Sequence, residues 1–172
     1  MFGLSIMTAA GVTGGLLHAL SHSVIKDALF MIAGIIICKT GKTDVRELSG
    51  IGKQMPVTMW CFTILSLGLI GIPPTLGFVS KWNLAIASLS ADIGIFSWLG
   101  PVLLLLSALL TAGYLLPITI NGFFVEKSFD HDKLEKREPK VTMLIPVVIL
   151  TAAVVLLGVF SGVFTSFLDW TA

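Results

Sequence analysis

The chain has 172 residues, of which 55% are hydrophobic and 12% are charged, and its mean hydropathy is +0.97. Long apolar runs separated by short charged loops are typical of a multi-span α-helical membrane protein, and the sequence lacks the alternating segments of about ten residues that mark a transmembrane β-barrel. The formal net charge of +1 gives no indication of nucleic-acid binding.

The chain opens on an apolar half-span that is followed by a full span. Residues 1–11 cover only about half of a bilayer at about 1.5 Å per helical residue. A chain that opens in this way is expected to be a fragment, a split gene product or the product of a late start site. Gly11, Gly14 and Gly15 then predict a turn or a tight helix start, and a full span is predicted over 12–38.

The second apolar region predicts a discontinuous helix. Residues 56–90 carry a single charge, at Lys81, and are too long for one crossing of about 20 residues yet too short for two crossings with a polar loop. We therefore predict half-helices over 56–70 and 77–90, separated by a non-helical GIPPTLG segment, while a simple kink is the alternative. The residues that interrupt the helix are Gly71, Pro73, Pro74 and Gly77.

Two further spans and two basic loops complete the predicted topology. The spans are expected over 98–121 and 141–165. Nine of the eleven Lys and Arg residues lie in the loops 39–54 and 122–140. Two crossings separate these loops, so both face one side of the membrane, and the positive-inside rule makes that side cytoplasmic. We thus predict an all-α, polytopic transmembrane helix bundle that forms a single domain over the whole chain, with about four spans plus the half-span.

One face of the first full span carries three titratable side chains. His18, His22 and Lys26 recur every four residues, which places them on one side of a helix. A lysine near the bilayer centre costs at least about 2.5 kcal/mol, so we expect Lys26 to face protein or water. Asp27 is a candidate charge partner, as is a residue on another helix. Because histidine titrates near neutral pH and one water can bridge the roughly 6 Å between successive side chains, this stripe predicts a proton relay.

Other interpretations of these residues stay open on sequence grounds. Buried histidines often form hydrogen bonds within a protein core, and an HxxxH pair can bind a metal, although no third ligand stands at a useful spacing. We predict no metal and no cofactor, since the chain has neither a cysteine cluster nor a glycine-rich dinucleotide loop. Lys81 followed by Trp82 is typical of an interfacial anchor, but on a broken helix Lys81 would lie near the membrane midplane.

These features together resemble the antiporter-like subunits of complex I, of membrane-bound hydrogenases and of Mrp-type cation/proton antiporters. The resemblance covers nearly the whole chain, but only about the C-terminal third of a typical member, a fourteen-span protein with two inverted five-helix repeats. The residues that carry it are His18-xxx-His22-xxx-Lys26-xx-Leu29-Phe30, Leu48-Ser49-Gly50, Met55-Pro56, Gly71-Ile72-Pro73-Pro74, Gly77-Phe78 and Ser80-Lys81-Trp82.

The resemblance implies a role for each polar residue inside the membrane. Residues 12–38 correspond to the family's relay-bearing span, and 56–90 correspond to its broken span, in which Lys81 takes the place of the terminal proton site. The family's first repeat is absent from this sequence. The implied partners are therefore other membrane-arm subunits and a chain that supplies the missing N-terminal spans, in the inner membrane of a prokaryotic cell.

Three functional hypotheses follow. The leading one is proton translocation by His18, His22, Lys26 and Lys81 within a redox-driven assembly similar to complex I or a membrane-bound hydrogenase, with the redox chemistry on other chains. The second is a subunit of an Mrp-type Na⁺/H⁺ antiporter, for which Asp27 is the one evident acidic site. The third is a non-conducting structural fragment that completes a split subunit.

Overall fold

The computed structural model describes residues 9–90, 94, 96–124 and 138–162. All regular secondary structure within these ranges is helical, which confirms the predicted fold class. A 3₁₀ turn over Val45–Leu48 precedes the short second helix. The helices are α1 (Ala9–Thr40), α2 (Ile51–Gln54), α3 (Pro56–Ile70), α4 (Leu76–Ser90), α5 (Phe96–Phe123) and α6 (Val141–Val159).

The lengths of these helices agree with the predicted spans. Within the described ranges, α1, α5 and α6 are long and apolar enough to cross a membrane. Helices α3 and α4 have 15 residues each, which is too short for a crossing of about 20 residues, and together they form the predicted discontinuous span. Most of the predicted N-terminal half-span, residues 1–8, lies outside the described residues.

Of the two alternatives predicted at Gly11, Gly14 and Gly15, a turn or a tight helix start, the turn is wrong, because α1 runs through all three glycines without interruption. Gly14 shows why a residue without a side chain is needed. A Cβ atom at Gly14 would lie 3.3 Å from the backbone nitrogen of Leu84, in α4. Glycine at this position therefore lets the two helices approach closely, a requirement of packing that local turn propensity does not reveal.

The break between α3 and α4 falls where Gly71, Pro73, Pro74 and Gly77 predict it. Helix α3 ends because Gly71 adopts the left-handed conformation, with φ of +92°. A Cβ atom at Gly77 would overlap the carbonyl oxygen of Gly68, so the absence of a side chain allows the start of α4 to cross α3 at backbone contact.

The core lies where α1, α3 and α6 meet. Helix α1 supplies Ile25, Ala28 and Ile32, which recur at helical spacing along one face and are at most 1% exposed. Helices α3 and α6 contribute Leu65 and Val154 to the same cluster. This packing holds α1 against the broken span, with its polar residues next to the break.

Residues at the edges of the two basic loops lie at the same end of the bundle. The backbone N–H of Gly50, in the first loop, donates to the carbonyl oxygen of Asn121 at the end of α5, at 3.0 Å. Glu138, just before α6, accepts a hydrogen bond of 2.8 Å from the backbone N–H of Val57. These contacts agree with the prediction that the loops share one side, although residues 125–137 of the second loop lie outside the described ranges.

Candidate functional site

A polar cavity of about 130 Å³ lies between α1, the break and α5. It has room for several water molecules, since each occupies about 30 Å³ in the liquid. All four residues of the predicted relay line this cavity, although Lys81 is separated from the others by more than 50 residues in the sequence. The polar side chains of the lining are His18, Ser21, His22, Lys26, Lys81, Ser107, Thr111 and Tyr114.

The titratable stripe of α1 follows one wall of the cavity. The ring centroids of His18 and His22 are 5.9 Å apart, and the rings are tilted by 44°. His18 is half-buried, whereas His22 and Lys26 are exposed in this chain. Asp27 is also exposed but is not among the residues that line the cavity, so its part as a charge partner stays a prediction.

Lys81 lies at the junction of the two half-helices. Its Nζ donates to the carbonyl oxygens of Leu69 at 2.9 Å and Ile70 at 2.7 Å. These carbonyls belong to the last turn of α3, where backbone acceptors lack partners within the helix and the helix dipole favours a positive charge. An ammonium group has three N–H donors, so one is left for water in the cavity.

A cluster of hydroxyl groups joins α1 to α4 next to the cavity. Ser80 is fully buried, and its Oγ lies 3.1 Å from Nδ1 of His18 and 3.3 Å from Oγ of Ser21. The same hydroxyl group donates to the carbonyl oxygen of Gly77 at 3.0 Å. Ser80 was noted in the sequence only as part of the Ser80-Lys81-Trp82 match, and Ser21 was not noted. Their contacts depend on the packing of two helices that are distant in the sequence.

Helix α5 contributes a polar face, of which Ser107 and Thr111 were not identified from the sequence. Ser107, Thr111 and Tyr114 follow one another at intervals of four and three residues, which places them on one side of the helix. All three line the cavity. Their spacing within an otherwise apolar helix was a signal that could have identified them.

The fold and this site define an integral membrane protein in which ionisable side chains line a cavity beside a broken helix. Polar groups of this kind are costly inside a membrane and mark the pathways of ions or substrates. Discontinuous helices with polar groups at the break are a recurrent construction of ion-coupled transporters.

The chain belongs to the family described as NADH:quinone oxidoreductase/Mrp antiporter, transmembrane, which matches residues 1–107. It is 36% identical over 171 residues to NADH-quinone oxidoreductase subunit N of Desulforudis audaxviator (strain MP104C), a match that covers 94% of this chain and 33% of the relative. It is 35% identical over 140 residues to a Na(+)/H(+) antiporter subunit of Bacillus subtilis (strain 168), a match that covers 81% of this chain and 26% of the relative. The resemblance inferred from the sequence is thereby confirmed.

The fold is similar to that of a chain in respiratory complex I from Thermus thermophilus. The TM-score is 0.82 at 24% sequence identity, and the match covers 98% of this chain and 34% of that one. The present chain thus spans about a quarter to a third of the length of these three proteins.

Proposed function

We propose that this chain carries protons between α1 and the broken span, by way of water in the 130 Å³ cavity. The observation that carries the proposal is that His18, His22, Lys26 and Lys81 line the same cavity. Histidine and lysine side chains can each bind and release a proton, and water molecules can link groups that are too far apart for direct hydrogen bonds.

Lys81 is the terminal site of this path. When it is protonated, its ammonium group is held by the C-terminal carbonyls of α3, at Leu69 and Ile70. Loss of the proton removes the charge that the helix dipole favours, so the side chain is held less strongly by these acceptors. This arrangement favours a proton site over an interfacial anchor, because the charge is held at the break between the half-helices.

The chain works within a larger assembly. Other membrane-arm subunits surround it, and the energy comes from redox chemistry on partner chains. The support for this is the similarity to a chain of respiratory complex I and to NADH-quinone oxidoreductase subunit N. The assembly lies in the inner membrane of a prokaryotic cell, with the basic loops 39–54 and 122–140 on the cytoplasmic side.

The test is proton flux through the assembled complex in lipid vesicles, driven by an imposed membrane potential and followed with a pH-sensitive dye. Lys26→Met and Lys81→Met should each lower the flux by roughly a hundredfold, as expected for loss of a positioned proton-transfer group. Both variants should assemble normally, because methionine has a similar length and keeps the apolar packing of the lysine stem.

The matched control is Lys39→Met, which removes a lysine from the last turn of the same helix as Lys26 but outside the cavity. It should leave the flux unchanged. Normal flux in the Lys26→Met and Lys81→Met variants would overturn the proposal. If deletion of α6 then abolished assembly, the chain would be a structural component only.

A second candidate function is sodium/proton exchange. It is favoured by the 35% identity to the Na(+)/H(+) antiporter subunit of Bacillus subtilis. A sodium gradient imposed on the same vesicles, without an electron donor, should then drive proton movement, and Asp27→Asn should abolish it. If the proton flux does not depend on the sodium gradient, the chain translocates protons but does not exchange them for sodium.

A further inference from the structure

Ser80 occupies a position that the proposed proton path does not itself require. It lies next to Lys81 on α4, but its side chain contacts α1, whereas that of Lys81 contacts the last turn of α3. Its hydroxyl oxygen is within hydrogen-bond distance of His18 Nδ1 (3.1 Å), Ser21 Oγ (3.3 Å) and the Gly77 carbonyl oxygen (3.0 Å). Because Ser80 is 0% exposed, water cannot replace these partners unless the side chains around Ser80 repack.

A count of the available protons favours one tautomer of the His18 ring. The carbonyl oxygens of Gly77 and His18 only accept, from Ser80 and Ser21 respectively. Each serine has a single hydroxyl proton, so both protons can be used by these carbonyls. The oxygen of Ser80 is then an acceptor, and the 3.1 Å contact with His18 is a hydrogen bond when Nδ1 carries the proton.

The other tautomer makes fewer hydrogen bonds. If Nδ1 were unprotonated, the two hydroxyl protons would have to serve four contacts within the cluster of His18, Ser21, Ser80 and Gly77. The cluster would then make one hydrogen bond fewer in a buried site, where each such bond adds to stability. In a neutral imidazole, a proton held on Nδ1 leaves Nε2 as the atom that can accept another.

We propose that Ser80 is a positioning residue for His18: it holds the neutral ring as the Nδ1–H tautomer and leaves Nε2 to exchange protons with the cavity. The effect of this tautomer on transport rests on the proposed function, since the tautomer affects transport only if His18 belongs to the proton path. It also joins the histidine stripe to the broken span, because Ser80 and Lys81 are consecutive residues of α4.

The direct test is ¹⁵N solid-state NMR of the full chain in lipid bilayers, with labelled histidine. The chain has three histidines, and the His18 signals are those that disappear in His18→Gln. At a pH where the ring is neutral, Nδ1 should give the signal of a protonated ring nitrogen and Nε2 that of an unprotonated one. In Ser80→Ala the Nε2–H tautomer should become populated, and in Ser80→Thr, which keeps the hydroxyl group, the Nδ1–H tautomer should return.

Two further serines provide matched controls. Ser88 is a buried serine of the same helix whose hydroxyl group donates to the carbonyl oxygen of Ser97 at 2.9 Å, so Ser88→Ala should leave the tautomer unchanged. Ser21→Ala removes a neighbour of Ser80 but keeps the contact between Ser80 and His18, and it should also leave the tautomer unchanged. If Ser80→Thr does not fold, the contrast between Ser80→Ala and Ser21→Ala still decides the matter.

Proton flux through the assembled complex separates this inference from the proposed function. Ser80→Ala should lower the flux by a factor of roughly five to ten, the effect of losing one hydrogen bond that sets a tautomer, and Ser88→Ala should not lower it. An unchanged tautomer in Ser80→Ala overturns the positioning role even if Lys81→Met abolishes flux. Normal flux in Lys81→Met overturns the proposed function, whereas the tautomer measurement stands independently of transport.

Discussion

The side chain of Lys81 passes directly over Gly71. A Cβ atom at Gly71 would lie 2.9 Å from Cδ and 3.3 Å from Nζ of Lys81. Gly71 also ends α3 in the left-handed conformation, which leaves the last carbonyl groups of that helix open to an external donor. The glycine thus serves both to expose the acceptors of the ammonium group and to leave room for the side chain that reaches them.

Gly71→Ala should therefore weaken both folding and transport. A non-glycine residue in the left-handed region costs about 1–2 kcal/mol, and the new methyl group would displace Lys81 from the carbonyls of α3. We expect a lower midpoint of thermal unfolding and a proton flux well below that of the wild type in vesicles.

Gly41→Ala separates these two effects. Gly41 has φ of +70°, but nothing lies within 4 Å of a Cβ atom there. The substitution should therefore carry a similar backbone strain and leave transport normal. Equal losses of flux in the Gly41 and Gly71 variants would mean that strain alone, and not the displacement of Lys81, explains the effect.

The crossing of the two half-helices makes a second prediction, at Gly77. Its Cβ atom would overlap the backbone oxygen of Gly68, which cannot rotate away as a flexible side chain would. Gly77→Ala should destabilise the chain by about 1–3 kcal/mol, the range for overpacking a close contact. Gly113→Ala on α5, where nothing lies within 4 Å, should instead raise stability by about 0.5–1 kcal/mol, and chemical unfolding in detergent can compare the two.

The contrast between Gly71 and Gly14 shows how far sequence reasoning extends. At the break, glycine and proline interrupt the helix for local reasons, and the position of the break was predicted correctly. At Gly14 the requirement comes from α4, some 70 residues further along the chain, so the predicted turn was wrong. Local propensity reports the conformations that a residue allows, but not whether a neighbouring backbone needs the space.

The same distinction applies to the site. The spacing of His18, His22 and Lys26 predicts one helical face, and all three line the cavity. The contact between His18 and Ser80 joins residues that are 62 positions apart, and the residue spacing within either helix does not predict it. The role of these residues in proton transfer stays a prediction until the lysine variants are measured.

Glu138 supplies a third prediction, at the other end of α3. Its carboxylate accepts hydrogen bonds from the backbone N–H of Val57 at 2.8 Å and the hydroxyl group of Thr58 at 3.3 Å. Helix α3 thus has a negative charge at its N-terminus and the positive charge of Lys81 at its C-terminus, and both agree with the helix dipole.

Glu138→Ala should lower the stability by roughly 1 kcal/mol, since Met55 at the N-cap position forms no side-chain cap and the first N–H groups would lose their acceptor. Glu47→Ala is the control, because the side chain of Glu47 is exposed and its backbone oxygen can still accept from Lys42. In detergent, the midpoint of thermal unfolding should be lower for Glu138→Ala and unchanged for Glu47→Ala. Equal midpoints for the two variants would show that the carboxylate does not stabilise α3.

The polar face of α5 leads to the last prediction, which concerns water in the cavity. Thr111 donates its hydroxyl proton to the carbonyl oxygen of Ser107 at 2.8 Å, and the lone pairs of its oxygen are left to accept from cavity water. Thr111→Val keeps the shape but removes this acceptor, so the flux should fall by a factor of roughly five, equivalent to one hydrogen bond. Thr119 makes the same kind of bond, to Leu115 at 3.3 Å, but does not line the cavity. Thr119→Val should therefore transport normally, and equal flux in both valine variants would show that water at Thr111 takes no part in transport.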